Sequence, residues 1–555
     1  MKLALVILLL LLPAEAVAQR NSDSAAVRRL AERAQIRFER IRKLNLPERH
    51  TGTRRECDAR IGRMCHWNSS EDTVVAPEPA NVRRAKLALL ATLDSLSGRS
   101  PRDGWITGQR IRYLVEMRDD STAVRVASEC RAAAWWCNAL KGLALHEARA
   151  GHEADSAFAL ALKEMPDGER CRWTDMTPLL DPAQRKRYGK LGCGRDEATA
   201  EQLWWIADPF LSVPGNERQV EHFARHTMAK ILEPARIVYN ISWANDLRET
   251  IVRYGWARYW TRGRGTMIEP EAGPISGHEA TPNYHFIPAS LPVDSLHAVA
   301  FDLDEAQSPE RYAPVTAGRV AYLTPQVAVF RRGDSAQVIV AFDATARRSF
   351  DTAAVKSALV VGASGNEITI ASDSARRGTL TTMIDSRPHL LGLEVLSQNR
   401  RHAAWYRAGV WLPEKPDDDV EVSDILLFEP GNDEIADLPS ALPLALPGQD
   451  VKRGKTGIYW EIYGLAAADS ALPVSLTLTP FGQSALRRIG ESIGLAPQTS
   501  PLNIAWRESP RAGGISARSM VLDLSLIPRG KYVLRVEVKP SGKLPSQSSR
   551  QIEIR

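Results

Sequence analysis

The sequence predicts a multidomain α+β protein, with helices in the first part of the chain and β-sheets in the last part. Apolar residues recur at helical spacing up to about residue 232, and short runs of alternating apolar and polar residues dominate after about residue 295. All six cysteines lie within the first 193 residues, which sets the helical part apart. A chain of 555 residues is long enough for three or four domains.

The first eighteen residues have the pattern of a secretory signal peptide. A charged start precedes an apolar run from Leu3 to Leu12, and the small residues Ala16 to Ala18 follow it. The apolar run has about ten residues, whereas a membrane-spanning helix needs about 20. We therefore expect a soluble, exported chain without a membrane span, either periplasmic or secreted.

The cysteines agree with an oxidising compartment, because an even number in an exported chain favours disulfides. Three neighbouring pairs are predicted: Cys57 with Cys65, Cys130 with Cys137, and Cys171 with Cys193. Seven residues along one helix span about 10.5 Å, which is beyond the reach of a disulfide. A turn is therefore expected between Cys130 and Cys137, near residues 132 to 134. Zinc binding is the rival interpretation, but no C-x-x-C pair occurs.

The formal net charge of +6 is small for this length, and the arginines are scattered rather than clustered. Nucleic-acid binding therefore has little support. An anionic surface such as a cell-wall polymer is compatible with this charge.

Two amphipathic helices are predicted before residue 100. The first runs from Ser22 to Leu44 behind a Ser/Asp cap, and the second from Val82 to Leu96. The apolar stripe of the first helix consists of Val27, Leu30, Ala31, Ala34, Phe38 and Ile41. Both stripes are interpreted as core-forming faces.

A 34-residue repeat follows between residues 104 and 166. Gly108 and Gly142 are 34 residues apart, as are Val124 and Phe158. The second copy has small and aromatic residues at the spacing of a tetratricopeptide repeat (TPR), namely Gly142, Ala154, Phe158, Ala161 and Pro166. The region resembles the TPR family over one good copy and one degraded copy, which has Ala132 at the proline position. The resemblance implies paired helices with a concave surface for a partner. A generic antiparallel helix pair is the alternative.

The pattern changes after residue 192. One helix ends at Asp208, and an amphipathic helix is predicted from Glu217 to Leu232. The stretch ETIVRYG then alternates apolar and polar residues, which predicts a strand ended by Gly255.

The segments ADPFLSVPGNERQVEHFARH and WANDLRETIVRYGW are similar to the GWxTD-type domain of exported bacterial proteins without an established reaction. Asn245 occupies the Thr position of the motif and Ser242 its leading Gly position. The matching residues are Trp243, Asp246, Arg253, Tyr254 and Gly255. The resemblance implies an exported location and a domain order, but no catalytic residue.

Strand patterns after residue 295 predict two β-sandwiches in tandem, with one larger β unit as the alternative. Two hairpins are expected to turn at Gly333 and near Gly365. The predicted organisation is a signal peptide (1–18), a disulfide-stapled TPR-like region (19–191), a GWxTD-like segment (192–264), a Pro/Gly/His-rich linker (265–294), a first β-sandwich (295–430), a linker (431–454) and a second β-sandwich (455–555).

No catalytic or cofactor-binding motif is recognised. His222 and His226 lie four residues apart on a predicted helix, and His278, Glu279 and His285 share one loop. These five are candidate metal ligands, but the glutamate that follows the first histidine of a zincin is missing. Structural histidines are the favoured interpretation.

The aromatic and charged residues near the middle of the chain form the other candidate. They are Trp243, Asp246, Arg248, Arg253, Tyr254, Gly255, Trp256 and Trp260. These residues are interpreted either as the core of a junction or as a binding face for a glycan or peptide. Asp246 is expected to form a buried ion pair with Arg248 or Arg253, whose loss would cost about 3 kcal/mol.

Together these patterns predict an exported, non-enzymatic scaffold that binds a protein or a cell-envelope partner. The alternative is a hydrolase, possibly metal-dependent, that acts on cell-wall or extracellular polymer. Convergence of the candidate histidines and Glu279 would favour the hydrolase.

Overall fold

The computed structural model divides into two compact units, Met1–Leu291 with Phe301–Gly318, and Pro292–Ala300 with Arg319–Arg555. No helix in the part that it describes has the length and apolar character needed to cross a membrane. Most of the predicted linker 265–294 lies outside the described residues. The described residues are 3–48, 57–66, 77–189, 193–194, 196–263, 273–279, 283–288, 296, 309–345, 347, 350, 354–415, 419–431, 435–465, 472–481, 502–508, 514–540 and 544–555.

Within its described residues, the first unit is mainly helical and also holds two short β-hairpins. Its helices are α1 (Leu3–Leu44), α2 (Ala80–Arg99), α3 (Gly104–Glu116), α4 (Asp120–Ser128), α5 (Ala134–Glu147), α6 (Gly151–Glu164), α7 (Asp167–Thr174), α8 (Pro182–Tyr188), α9 (Glu197–Ala207), α10 (Glu217–Leu232) and α11 (Asn245–Tyr254). The hairpins pair β1 (Ala59–Ile61) with β2 (Met64–His66), and β3 (Tyr259–Arg262) with β4 (Ile275–His278).

Helix α1 does not begin at the predicted cap. It is continuous from Leu3 to Leu44, so the expected start at Ser22 is wrong. Serine and aspartate cost less than about 0.7 kcal/mol each inside a helix, and the leucine-rich run before them favours helix. Cleavage after residue 18 stays a prediction.

The buried side of α1 is more polar than its predicted apolar stripe. Ala31 and Phe38 are buried as expected, but Leu30 is 44% exposed. Glu39 lies one turn after Gln35, and Arg42 lies one turn after Phe38, and both of these charged residues are buried instead. A buried charge pair on this helix needs partners from elsewhere, because an isolated charge is too costly to bury.

The three predicted disulfides are confirmed: Cys57–Cys65, Cys130–Cys137 and Cys171–Cys193. The expected turn is also present, since α4 ends at Ser128 and α5 begins at Ala134. The turn brings the Cα atoms of the second pair to 5.5 Å.

Gly142 lets α5 and α6 approach closely, as the repeat pattern predicts. A Cβ atom at this position would lie 2.7 Å from the ring of Phe158. The close approach of the two helices therefore depends on glycine at position 142, because the Phe158 ring fills the space that a side chain there would need. The assignment of the helix pairs to the TPR family stays a prediction.

Helix α10 has the predicted bounds, Glu217–Leu232, and packs against α3, α5 and α6. The ring of Phe223 lies 5.7 Å from that of Phe158, and the Gln109 amide donates to the carbonyl of Ile231 at 2.8 Å. Because α3 and α5 are the first helices of the two pairs, α10 lies where an open array would offer its concave surface. The face of these helices that α10 covers is therefore not open to a partner.

The stretch ETIVRYG is helical, so the predicted strand is wrong. It forms the second half of α11, and Gly255, with φ of +78°, ends the helix. Leu247, Ile251 and Tyr254 are buried, at positions i, i+4 and i+7. In a run this short the same apolar residues satisfy both a helical and an alternating pattern.

In its described residues, the second unit contains β-sheets, one short α-helix and one 3-10 helix (Leu442–Leu444). Its elements are β5 (Arg319–Tyr322), β6 (Gln326–Arg332), β7 (Ser335–Asp343), β8 (Val355–Ser364), β9 (Glu367–Asp373), β10 (Arg377–Ile384), β11 (His389–Ser397), β12 (His402–Val410), β13 (Glu421–Val422), β14 (Leu426–Phe428), α12 (Leu438–Ala441), β15 (Asp450–Val451), β16 (Lys455–Tyr463), β17 (Leu472–Pro480), β18 (Leu502–Glu508), β19 (Ile515–Asp523), β20 (Gly530–Val538) and β21 (Ser546–Ile554).

Each half of this unit has two sheets around one apolar core, the arrangement of a β-sandwich. In the first half, the sheet β10-β7-β6 shares its core with β5-β12-β11-β8-β9. In the second half, β16 pairs with β13, β14 and β19, and the facing sheet is β15-β21-β20-β17-β18. The hairpins predicted at Gly333 and near Gly365 are confirmed as β6-β7 and β8-β9.

The boundary predicted at residue 430 is not the one observed. Strands β13 and β14 pair with β16, so they belong to the second half. The predicted linker 431–454 is also partly structured, because Leu438 and Ala441 of α12 pack in a core with Phe330 and Tyr459. A strand of three residues does not specify its pairing partner, and the long-range contact decides it.

Candidate binding site: an indole-lined pocket

The segment around α11 lines a pocket in the helical unit, called the indole pocket below. It encloses about 640 Å³ of empty space, counting the part open to solvent. Helix α11 gives one wall, Gly255 turns the chain, and Trp256 and Trp260 follow at the turn and in β3. The lining residues are Met64, Arg112, Glu116, Met228, Leu232, Ile237, Val238, Tyr239, Trp243, Leu247, Thr250, Ile251, Gly255, Trp256, Ala257 and Trp260.

The walls are largely apolar, and their charges are already paired. Among the described lining residues, only Arg112 and Glu116 carry a charge at neutral pH. The Arg112 Nε lies 3.2 Å from Glu116 Oε1, and Arg112 Nη2 lies 2.8 Å from Oε1 of Glu39 in α1. The pocket therefore presents indole rings and alkyl groups beside a neutralised ion pair.

That ion pair belongs to a buried charge network formed by Glu39, Arg42, Lys86, Arg112 and Glu116. Arg42 contacts Glu116 directly and lies 3.5 Å from Glu39, and the Lys86 Nζ lies 3.6 Å from Glu116. Burial would raise the pKa of Glu116, but Arg42, Arg112 and Lys86 outweigh burial and lower it to about 2. Glu116 is thus held ionised by three cations.

Three indole N–H groups at the pocket lack a hydrogen-bond partner among the described residues, those of Trp243, Trp256 and Trp260. Trp256 is only 8% exposed, so water does not fully replace the missing acceptor. The third indole, Trp260, lies beside the Tyr239 hydroxyl, and burial raises the pKa of Tyr239 to about 12. A buried N–H without an acceptor costs about 1 to 3 kcal/mol.

Arginines stack on two of the indole rings. The guanidinium carbon of Arg258 lies 4.6 Å from the ring centroid of Trp256, and that of Arg42 lies 4.7 Å from Trp260. Arg258 also donates to both carboxylate oxygens of Glu147, at 2.6 and 2.9 Å. These contacts fix the orientation of the rings that line the pocket.

A disulfide-closed hairpin covers one side of the indole pocket. The Cys57–Cys65 disulfide joins the two arms of the β1-β2 hairpin, and Met64 of β2 lines the pocket. At the tip, the Arg63 Nε donates to Asp246 Oδ2 at 2.7 Å. His66, which follows in the strand, stacks on Tyr254 with ring centroids 3.8 Å apart. The hairpin is therefore attached to α11 by one ion pair and one ring stack.

The predicted partner of Asp246 is wrong. Asp246 pairs with Arg63, whereas Arg248 contacts Glu233 at 2.8 Å and Arg253 contacts a glutamate of its own helix at 3.1 Å. Hydrogen bonds from Arg63 hold the pKa of Asp246 well below its usual value. Because the side chain of Arg63 is 44% exposed, the pair is not the buried one that was expected.

We therefore expect Asp246→Ala to lower the free energy of unfolding by no more than about 1 kcal/mol, the range of exposed ion pairs. Urea denaturation followed by circular dichroism measures this change. The same small loss is expected for Arg63→Ala, and the double variant should lose no more than either single one. A loss of free energy near 3 kcal/mol would instead support the buried ion pair that the sequence predicted for Asp246.

The candidate metal ligands are not brought together. His222 and His226 are buried in α10, where Nε2 of His222 lies 2.8 Å from the Trp173 carbonyl and His226 stacks on the Trp173 ring. Burial lowers the pKa of both histidines, that of His226 to about 3. They are core residues in the described structure.

The loop candidates have separate partners. No group of three or more His, Cys, Asp or Glu within the described residues could hold a metal ion. The ring of His278 contacts the Thr261 hydroxyl at 2.7 Å, and Glu279 pairs with Arg258 at 3.0 Å. His285 contacts Glu310 at 3.2 Å.

Sequence patterns missed the pocket residues that come from distant segments. Arg63 and Met64 lie between the paired cysteines Cys57 and Cys65. A short disulfide loop of this kind is a sequence sign of a rigid hairpin. Arg112 and Glu116 lie four apart on α3, where only their burial distinguishes them from a surface pair.

Comparisons with known proteins give no family. No family model matches the chain, and no curated protein matches it. Solved structures with similar parts include red sea bream transglutaminase (10% identity, TM-score 0.14), the FN1-FN3 domains of chicken CNTN1 (8%, 0.15) and the BSP domain of a biofilm-associated protein (14%, 0.19). Each match covers 42% of this chain, and 31%, 67% and 29% of those chains respectively. With TM-scores this low, they carry no argument.

Proposed function

We propose that this protein is an exported, non-enzymatic interaction protein of the bacterial cell envelope, and that the indole pocket is where its helical unit binds a partner. The observation that carries the proposal is the lining: three indoles surround a pocket whose charged wall residues are already paired. Such a wall suits the recognition of an apolar group, because the burial of apolar surface gives affinity. Catalysis by acid or base needs an ionisable group free to exchange a proton.

The proposal keeps the TPR-like and GWxTD-like assignments of the helical unit and a periplasmic or secreted location. The three disulfides support an oxidising compartment. Since α10 covers the inner face of the helix pairs, the partner is assigned to the indole pocket rather than to a concave groove. The β-sandwiches of the second unit offer edges and loops for further contacts.

The hydrolase alternative has weaker support. It needs the histidines of α10 and the loop residues to meet at one place, but His222 and His226 pack against Trp173 in the core. Glu279 and His285 contact Arg258 and Glu310.

Filling the indole pocket is expected to abolish partner binding while the fold is kept. Thr250 is half-buried in the pocket wall, and its hydroxyl donates to the carbonyl four residues earlier at 2.7 Å. Thr92 makes the same bond at 2.8 Å on the exposed side of α2, so Thr92→Phe is a matched control for Thr250→Phe. In capture from the native envelope, wild type and Thr92→Phe should retain the same components by mass spectrometry. Thr250→Phe should lose those that depend on the pocket.

Two results would contradict this proposal. Equal capture by Thr250→Phe and Thr92→Phe would show that the partner does not bind in the indole pocket. Release of soluble fragments from cell-wall polymer by the purified full chain would show a hydrolase. That assay should include a chelator arm, because the hydrolase alternative includes metal-dependent enzymes.

A further inference from the structure

We infer that the outer face of α1 and of the start of α2 docks this protein on an anionic phospholipid bilayer. This face, called the basic face below, consists of four exposed aliphatic side chains and six exposed arginines, namely Arg29, Arg33, Arg37, Arg40, Arg83 and Arg84. None of these arginines lines the indole pocket, so the inference goes beyond the proposed function. It depends on three observations: a shared surface, cations without partners, and aliphatic side chains exposed among them.

The two helices present the basic face on the side away from a common core. They run antiparallel, because the hydroxyls of Ser24 and Ser100 lie 2.8 Å apart and the Asn81 amide donates to the Asn45 side-chain oxygen at 2.7 Å. The residues of both helices that pack in this core are Val27, Ala31, Phe38, Val82, Leu89, Leu93 and Leu96. The exposed arginines of α1 lie opposite this apolar stripe, so they extend into solvent.

The arginines of the basic face have no carboxylate to neutralise them within the described residues. Two glutamates lie between the arginines of α1, but Glu32 pairs with Arg28 at 2.9 Å and Glu39 is buried in the charge network. Before the start of α2, Glu78 contacts the Lys86 Nζ at 2.6 Å. The face therefore carries a positive charge that complements an anionic surface.

Four large aliphatic side chains are exposed among these arginines: Leu30 (44%), Ile36 (46%), Leu44 (59%) and Leu87 (48%). Leu30 lies three residues before Arg33, and Ile36 lies four residues before Arg40, so each aliphatic group neighbours a cation on the helix surface. The boundary between lipid headgroups and acyl chains suits this mixture. Aliphatic side chains insert into it, and the long arginine side chains reach back to the phosphates.

A soluble anionic polymer fits the basic face less well than a bilayer does. It would neutralise the arginines but leave the leucine and isoleucine side chains in water. At an anionic bilayer both kinds of side chain contribute, because each Lys or Arg near the surface strengthens binding by about 5-fold and each inserted aliphatic group adds to this. The aliphatic residues therefore distinguish the two partners.

Vesicle co-sedimentation of the purified full chain tests the inference. We expect the wild type to bind vesicles of equal parts phosphatidylglycerol and phosphatidylcholine, and to bind phosphatidylcholine vesicles much more weakly. Arg33→Gln combined with Arg37→Gln should weaken binding to the anionic vesicles by about 25-fold, which is about 5-fold for each arginine. Glutamine forms helix nearly as well as arginine, so α1 is kept.

The matched control for this charge variant is Arg507→Gln combined with Arg535→Gln. Both arginines are exposed in the second unit and have no ion pair within the described residues, so the net charge changes equally. This control should bind the anionic vesicles like the wild type. Because all variants share the same N-terminal residues, a difference between them reports the substituted side chains.

An aliphatic variant separates a bilayer from a soluble polyanion. Leu30→Gln combined with Ile36→Gln keeps every charge and should weaken binding to the anionic vesicles by at least about 5-fold, because two side chains no longer bury apolar surface. Its binding to inorganic polyphosphate should equal that of the wild type. The matched control is Leu526→Gln combined with Leu544→Gln, which replaces two more exposed leucines of the second unit and should leave vesicle binding unchanged.

The inference is overturned if the wild type does not bind the anionic vesicles, if it binds phosphatidylcholine vesicles equally well, or if either control loses as much binding as its test variant. Unchanged vesicle binding by the Leu30 and Ile36 variant would reject the bilayer and indicate a soluble polyanion. Thr250→Phe should bind the vesicles like the wild type, because Thr250 lies in the indole pocket. Failure of the pocket proposal and failure of this inference are therefore distinguishable.

Discussion

Replacing Glu116 by glutamine is expected to lower the free energy of unfolding of the helical unit by about 3 to 5 kcal/mol. Glutamine keeps the size of the side chain but removes the charge that Arg42, Arg112 and Lys86 share. Those cations would be left with too few carboxylates in a largely buried site. The pKa of Glu116, near 2, implies a similar figure of about 3 kcal/mol for the ionised carboxylate.

Urea denaturation followed by far-ultraviolet circular dichroism measures this loss, because the helical signal reports the first unit. The control is Glu32→Gln, which removes a glutamate that is 40% exposed and pairs with Arg28 at 2.9 Å. An exposed pair one turn apart contributes about 0.3 to 0.5 kcal/mol, so the control should be nearly unchanged. Equal effects of the two variants would mean that the charge network does not stabilise the fold.

Acid should destabilise the helical unit through His226, and His226→Phe should remove that part of the effect. Burial lowers the pKa of His226 from 6.5 to about 3, so between these values the unfolded chain binds a proton that the folded chain does not. The contribution is fully present above pH 6.5 and is lost as the pH falls towards 3. Between pH 7 and pH 4 the wild type should lose about 3 kcal/mol more than the variant.

Phenylalanine suits this test because it keeps a ring against Trp173, on which the imidazole stacks with centroids 5.6 Å apart. The larger ring costs about 1 to 3 kcal/mol through overpacking, but this cost is the same at every pH and leaves the pH dependence readable. His152→Phe is the control, since the side chain of His152 is exposed in α6. Parallel pH profiles of wild type and His226→Phe would contradict a neutral, buried histidine at this position.

Local sequence patterns predicted the elements whose signals lie within one short segment. The bounds of α10 followed from its apolar stripe, and the hairpin turns followed from Gly333 and Gly365 between alternating strands. The disulfides followed from cysteine spacing, because neighbours along the chain stay near each other. In each case a contact of short range decides the structure.

Contacts of long range decided the rest. The partner of Asp246 comes from a hairpin 183 residues earlier in the chain, and β14 pairs with a strand beyond α12. The apolar residues of ETIVRYG fit both a helical and an alternating pattern, and packing against the core selects the helix. A single sequence contains no signal that ranks such distant partners.

The candidate site was predicted in part. The sequence grouped Trp243, Trp256 and Trp260 as one cluster, and the structure places all three on one pocket. It did not indicate that Glu39 and Arg42, within an amphipathic helix, are buried beside them. Burial of a charge is visible only when its partners on other helices are known.

The position of α10 governs when the first unit can finish folding. The core of α3 to α6 is completed by Phe223, Met228 and Trp256, which follow those helices in the chain. Synthesis proceeds from the N-terminus at roughly 5 to 20 residues per second, so the earlier helices wait a few seconds for the residues that complete them. During that interval their apolar sides are exposed, which favours aggregation.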